Sequence, residues 1–91
     1  MKEQDIQKKF IRYIEDQGGY VVKVITASKA GVPDLLVCLE GKFIGIEVKT
    51  PVTKGNASKL QEYNIALIEQ AGGLAGVAWD MDSLVEVLNG F

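Results

Sequence analysis

The 91-residue sequence contains no histidine and one cysteine, Cys38. Without histidine, the chain cannot form a Cys/His zinc site, a Ser-His-Asp triad or a Cys-His dyad. A single cysteine excludes an intrachain disulfide. Any chemistry must therefore depend on carboxylates, lysines, hydroxyls and amides. This set of groups favours a hard cation such as Mg²⁺ or Mn²⁺, which binds oxygen ligands.

Long apolar runs are also missing. No run approaches the roughly 18 residues that a membrane span needs, and the first five residues are too polar for a signal peptide. We therefore expect a cytoplasmic protein with no membrane partner. The hydrophobic fraction of 47% and the charged fraction of 24% are typical of a globular chain. This length predicts a single domain over residues 1–91.

Basic residues are absent from the C-terminal third. Residues 1–60 hold all 10 Lys and Arg with seven acids, whereas residues 61–91 hold five acids and no base. An even scatter of solvated charge is the simpler interpretation. However, the net charge of −2 combines a basic segment, residues 1–60, with an acidic one, residues 61–91. The total charge therefore does not exclude a DNA partner.

Apolar spacings of three and four residues predict two helices, each ended by a Gly-Gly pair. These helices cover residues 4–17 and 58–71. Short apolar and β-branched runs predict strands. The strands cover residues 20–25, 35–39, 43–48 and 74–79. Asp82 is the expected N-cap of a short last helix.

The predicted order is α-β-β-β-α-β-α. Three strands joined by short links favour antiparallel pairing, and the helix that follows allows a crossover to a parallel fourth strand. We therefore predict an α/β fold with a mixed four-stranded sheet and flanking helices. Tyr20, Tyr63 and Trp79 are expected to complete the core, with Cys38 buried in a strand.

Three charged residues are expected to meet at one end of the predicted hairpin. If its turn is centred between Glu40 and Gly41, Asp34 lies opposite Glu47. If the turn is centred on Gly41, Asp34 lies opposite Val48 instead. Both registers bring the two carboxyl groups within reach, because facing Cβ atoms are about 5 Å apart. Lys49 shares a strand face with Glu47.

Two close carboxylates repel each other, and a divalent cation between them reduces that cost. Asp34 and Glu47 are therefore candidate metal ligands. In the alternative interpretation, Glu47 and Lys49 are solvated residues of a strand edge, and Asp34 is a turn former after proline.

The segments GVPD (31–34), IEVK (46–49) and SKLQ (58–61) occur in an order that resembles the PD-(D/E)xK nuclease superfamily. Within it, the chain resembles the small stand-alone VRR-NUC domains of phages and bacteria, over residues 3–80. The resemblance implies a restriction-endonuclease-like core. It also implies hydrolysis of DNA phosphodiester bonds with Mg²⁺ or Mn²⁺ and no nucleotide cofactor.

The resemblance also assigns roles by position. Asp34 and Glu47 would ligate the metal together with the Val48 carbonyl. Lys49 would orient the attacking water and stabilise the developing charge. Glu3 matches the acid of the family's first helix and is a further candidate ligand. Alternatively, Glu3 only complements the positive end of that helix.

Gln61 matches a glutamine that lies near the active site in the family. It also fits a capping box in which it reaches back to Ser58. Candidate DNA contacts are hydroxyl and ammonium groups, each of which could equally be a solvated surface group. They are Ser28, Lys23, Lys29, Lys54 and Lys59.

These observations predict a metal-dependent DNA endonuclease, selective for branched DNA such as four-way (Holliday) junctions, in a bacterial or phage-infected cell. We expect a homodimer, whose surface would include the apolar last segment. That segment comprises Leu84, Val85, Val87, Leu88 and Phe91. One alternative is a catalytically inactive, nuclease-like DNA-binding module. The other is a small α/β protein-interaction domain.

Overall fold

The computed structural model describes residues 1–90 and has the predicted order of elements. The helices are α1 (Glu3–Asp16), α2 (Lys59–Gln70) and α3 (Met81–Leu88). The strands are β1 (Tyr20–Lys23), β2 (Leu35–Leu39), β3 (Lys42–Val48) and β4 (Leu74–Ala78). The predicted α/β class and the order α-β-β-β-α-β-α are confirmed.

The four strands form one mixed sheet in the order β1-β2-β3-β4. β2 is antiparallel to both β1 and β3, and β4 is parallel to β3, as expected after a helical crossover. Leu39 pairs with Lys42 in the β2–β3 hairpin. Glu40 and Gly41 form the tight turn with φ values of 53° and 78°, as in a type I′ turn. The register with the turn centred on Gly41 is therefore wrong.

One face of the sheet carries the apolar core. Alternate residues of β2 and β3 point to this face and are buried with the apolar stripe of α1 and with Leu84 and Leu88 of α3. The stripe of α1 has the helical spacing that the sequence predicts. The buried residues of α1, β2 and β3 are Ile6, Phe10, Ile14, Leu35, Val37, Ile44, Ile46 and Val48. The apolar side chains of this face therefore pack in the core.

The opposite face is only partly covered, by α2. A Cβ at Gly45 of β3 would lie 2.8 Å from Ile68 Cδ1, so α2 lies close to the sheet there. Asn64 is the buried residue of this helix, whereas Leu60 and Tyr63 are exposed. This face therefore carries both a polar site and exposed apolar surface.

Three predicted burials are wrong. Tyr20 is 71% exposed and Tyr63 is 60% exposed. Cys38 is exposed as well, because it pairs with Tyr20 on the face away from the core. Trp79 is half-buried, at the end of β4. Residues of both sheet faces are apolar here, so the sequence pattern alone does not show which face is covered.

The predicted start of α3 is also wrong, because Asp80 rather than Asp82 is its N-cap. The Asp80 carboxylate accepts a hydrogen bond of 2.9 Å from the Ser83 N–H, and Ser83 Oγ accepts one of 3.1 Å from the Asp80 N–H. Only Asp80 has a serine three residues later to complete this capping box. No helix within residues 1–90 is both long and apolar enough to cross a membrane.

Candidate active site

Asp34 is held between two strands at the start of β2. Its Oδ2 accepts a hydrogen bond of 2.8 Å from the Val48 N–H, and its carbonyl accepts one of 2.8 Å from the Val24 N–H. The N–H and C=O of one strand residue point to the same side of the strand. The Val48 carbonyl therefore lies on the side of β3 that faces Asp34.

The loop before Asp34 is anchored to α2. Gly31 has a φ of 82°, and a Cβ there would lie 2.7 Å from Leu60 Cγ. Asn64 Nδ2 donates hydrogen bonds to the carbonyls of Ala30 (3.1 Å) and Leu60 (2.9 Å). A glycine is therefore required at the first position of GVPD, because the backbone has a positive φ there and a side chain would collide with α2.

The role of Asn64 was not predicted. Its signal in the sequence is a lone amide on the apolar stripe of the second helix. A buried amide must be hydrogen-bonded, and here its partners are the helix and the loop that carries Asp34. Asn64 therefore contributes to the position of Asp34 without lying among the candidate ligands.

Glu47 is a buried carboxyl group on the α2 side of the sheet, with 3% of its surface exposed. Its Oε2 accepts a hydrogen bond of 3.0 Å from Gln61 Nε2 and lies 3.7 Å from Lys49 Nζ. Within residues 1–90, its Oε1 has no hydrogen-bond partner. One oxygen is thus fixed in place, and the other is available to a ligand.

Burial, the largest cause, and the nearby negative charge of Asp34 together raise the pKa of Glu47 from its ordinary 4.5 to about 8. The Lys49 ammonium opposes the shift, and Glu3 adds to it. Without a cation, Glu47 therefore holds its proton at neutral pH.

Gln61 makes the predicted capping-box contacts and also lies beside Glu47. Its Oε1 accepts a hydrogen bond of 2.9 Å from the Ser58 N–H, and its own N–H donates to Ser58 Oγ at 3.1 Å. The same side chain donates from Nε2 to Glu47. The capping box of α2 thus fixes the amide that orients the Glu47 carboxyl group.

Glu3 is the first residue of α1 and is half-buried, close enough to Glu47 for its charge to raise the pKa of that group. It does not complete a cluster of three ligands. Within residues 1–90, no group of three or more His, Cys, Asp and Glu residues is placed to hold a metal ion. The candidate ligand set is therefore the carboxylates of Asp34 and Glu47 with the Val48 carbonyl.

These residues fit a divalent cation. All of the candidate ligands are oxygens, which Mg²⁺ and Mn²⁺ prefer. A cation would also supply a partner for Glu47 Oε1 and favour the ionised form of this carboxyl group.

Within residues 1–90, the candidate DNA contacts form no side-chain hydrogen bond or ion pair with Asp34 or Glu47. Lys23, Lys59, Ser28 and Lys29 are exposed. Ser28 and Lys29 line a groove of about 530 Å³ that also includes Leu67 and Ile68 of α2. Lys54 lies over the Trp79 ring, with Nζ 5.0 Å from the ring centroid.

The apolar last segment is mostly part of the core, contrary to the predicted dimer surface. Leu84 and Leu88 are buried, and Val87 packs against the core beside Gly76. Val85 is half-buried. Phe91 lies outside the described residues. The amphipathic pattern of this segment serves the docking of α3, so it does not identify a surface for a partner.

One end of the mixed sheet thus carries two carboxyl groups and a lysine, with the Gln61 amide of α2 against them. No family model matches the chain. The chain is 34% identical over 64 residues to "Putative nuclease p44" of Acyrthosiphon pisum secondary endosymbiont phage 1. The matched residues make up 69% of this chain and 69% of that protein.

Its fold is also similar to a solved structure described as a VRR_NUC domain, with a TM-score of 0.79 and 26% sequence identity. The similarity covers 98% of this chain and 96% of the other. The chain therefore belongs to the VRR-NUC domain family of nucleases.

Proposed function

We propose that the protein is a Mg²⁺- or Mn²⁺-dependent endonuclease that hydrolyses phosphodiester bonds of DNA. The observation that carries this proposal is the Glu47 carboxyl group. It is buried, oriented by Gln61, close to Lys49 and the charge of Asp34, and has one oxygen without a partner. A buried carboxyl group with a strongly raised pKa is typical of a functional site.

In this proposal, Asp34, Glu47 and the Val48 carbonyl hold the cation. When bound, such a cation lowers the pKa of a water molecule and stabilises negative charge on a phosphate oxygen. The Lys49 ammonium orients that water and stabilises the charge that develops on the phosphate. Gln61 keeps the Glu47 carboxyl group in its orientation, and Glu3 adds negative charge beside it.

We further propose that the active form is a homodimer that cuts branched DNA. A protomer of 9.9 kDa offers a small footprint, and the two-fold axis of a dimer matches the symmetry of a four-way junction. Exposed apolar side chains on α2 and on the sheet face that α2 partly covers favour self-association. They are Tyr20, Val22, Phe43, Leu60 and Tyr63. The phage relative favours a location in the cytoplasm of a bacterial or phage-infected cell.

The discriminating experiment is a cleavage panel of single-stranded, duplex, flap and four-way-junction DNA with Mg²⁺, Mn²⁺ or EDTA. We expect metal-dependent cuts, fastest on the junction and paired symmetrically across it. Sedimentation at micromolar concentration should give twice the chain mass. Equal cleavage of duplex and junction by a monomer would contradict the substrate and the dimer, but not the nuclease activity.

Two alternatives predict different outcomes. An inactive DNA-binding module would bind the same substrates without cutting them, and a protein-interaction domain would not bind them. The proximity of Asp34, Glu47 and Lys49 favours the active nuclease, because neither alternative needs a lysine and a second carboxyl group beside a buried one.

A further inference from the structure

A second pocket lies at the same end of the sheet as the candidate active site and is lined in part by residues of α1. The Lys49 N–H donates a hydrogen bond of 3.0 Å to the Ala78 carbonyl, which joins the ends of two parallel strands. Trp79 follows Ala78, and Pro51 follows Lys49 by two residues. Trp79 and Pro51 therefore lie at the same edge of the sheet as the candidate site, and both line this pocket.

The pocket has a volume of about 300 Å³. This is the lower end of the range of about 300 to 1,000 Å³ for sites of small ligands. Its lining is mainly apolar and includes Ile6, Phe10 and Met81 besides Trp79 and Pro51. Such a pocket suits a flat ring that can stack on the indole.

The charged groups around the pocket favour an anionic chain. Lys9 lines it, and the Lys54 ammonium lies over the Trp79 ring without being part of the pocket lining. Asp80 is the one acid in the lining. Its Oδ1 accepts hydrogen bonds from the N–H and the hydroxyl of Ser83, so this carboxylate is engaged in the cap of α3.

We propose that this pocket binds one unpaired base of the nucleic-acid strand being cut, stacked on Trp79, while Lys9 and Lys54 contact the adjoining phosphates. This inference rests on the proposed nuclease function. A base is the occupant that the surroundings favour, because it is a flat ring joined to phosphates on both sides, and lysines flank the pocket. Stacking on an aromatic ring tolerates any base, so the pocket selects for unpaired structure and not for sequence.

Trp79 is the only tryptophan of the chain, so its fluorescence reports directly on the pocket. The probe is a single-stranded oligonucleotide of about 12 nucleotides, added to the wild-type protein in EDTA and in Ca²⁺. We expect the oligonucleotide to quench the fluorescence, and a matched duplex to quench it much less. An abasic site moved along the oligonucleotide should relieve the quenching at one position only.

Two pairs of variants test the energetics. Trp79→Ala should reduce the preference for an unpaired-base substrate over a duplex by about 10-fold, whereas Trp79→Phe, which retains a ring, should preserve most of it. Lys54→Ala should weaken binding, and Lys42→Ala, at the distant hairpin turn, serves as its control. Circular dichroism of each variant distinguishes a lost contact from a lost fold, and the abasic-site series on the wild-type protein keeps the test valid if Trp79→Ala unfolds.

The outcomes separate this inference from the proposed function. If the wild-type protein nicks DNA but the oligonucleotide binds without changing Trp79 fluorescence, the inference is wrong and the nuclease proposal stands. If quenching occurs without cleavage under any metal condition, the pocket stands and the nuclease proposal fails. Fluorescence that changes with protein concentration alone would show a second copy in the pocket and overturn the inference. Absence of oligonucleotide binding would overturn it as well.

Discussion

The side-chain amide of Gln61 donates a hydrogen bond of 3.0 Å to Glu47 Oε2. The same side chain closes the capping box of α2 through Ser58. The start of a helix and the orientation of a buried candidate ligand thus depend on one residue. A change at Gln61 therefore affects both stability and the site, whereas a change at Ser58 affects the cap alone.

This relationship predicts different effects for Gln61→Ala and Ser58→Ala. Each removes a capping interaction and should lower the free energy of unfolding by about 1 kcal/mol. Only Gln61→Ala also frees the Glu47 carboxyl group, and it should lower DNA cleavage by about 10-fold or more. Urea unfolding and cleavage rates measure the two effects. Equal losses of activity in both variants would show that Gln61 acts only through the helix.

The stability of the metal-free protein should depend on pH through Glu47. Between about pH 4.5 and about pH 8, folded Glu47 keeps its proton while the unfolded chain releases it. Stability should therefore fall as pH rises through this interval, by up to a few kcal/mol in total. Unfolding in EDTA measures this slope, and Glu47→Gln should flatten it. A slope unchanged in that variant would contradict the assignment.

Mg²⁺ should act in the opposite direction, because it binds the ionised carboxylate. Its addition should raise Tm more near pH 8 than near pH 5. Asp34→Asn, which removes one candidate ligand, should abolish this increase, whereas Asp16→Asn at an exposed position should keep it. An equal increase in all three proteins would place the cation elsewhere.

Lys49 and Lys29 should differ in what they contribute. Lys49→Ala should leave DNA binding largely intact and lower the cleavage rate by about 10² or more, as expected for a group that acts in the transition state. Lys29→Ala should weaken binding instead and reduce the salt dependence by about one unit of slope. Binding titrations at several salt concentrations check this. An unchanged slope would assign Lys29 to the solvated surface.

Gly31→Ala should disturb the site from a distance. A Cβ at this position combines a φ of 82° with a contact of 2.7 Å to Leu60 Cγ, so we expect a loss of stability of about 1 to 3 kcal/mol and a displaced Asp34. Gly55→Ala is the control, since a Cβ there meets nothing within 4 Å. Similar cleavage rates for both variants would show that the loop tolerates the change.

Rules that use only short stretches of sequence were sufficient to predict the part of the fold that positions the site. The turn at Glu40 and Gly41 sets the hairpin register, and the register places Asp34 opposite Glu47. Both lie in one hairpin, so no long-range information was needed. The Ser58 cap with its partner Gln61 was predictable for the same reason, because it spans only three residues.

Tertiary packing determined what the sequence could not show. Tyr20 and Cys38 have the pattern of a buried strand, but α2 leaves their part of the sheet face exposed. Asn64 looks like an interruption of an apolar stripe until its bond to Ala30 is known. Asp80 and Asp82 are equally good caps by residue type, and the partner Ser83 decides between them.

Nicking of a supercoiled plasmid by wild-type protein and by Glu47→Gln tests the central claim most directly, with Glu86→Gln, at an exposed position of α3, as the matched control. With Mg²⁺ or Mn²⁺, we predict nicking by the wild type and the control, no nicking by Glu47→Gln, and no nicking by any of them in EDTA. Nicking that persists in EDTA, or wild-type rates from folded Glu47→Gln, would contradict a metal-dependent site built on this carboxyl group.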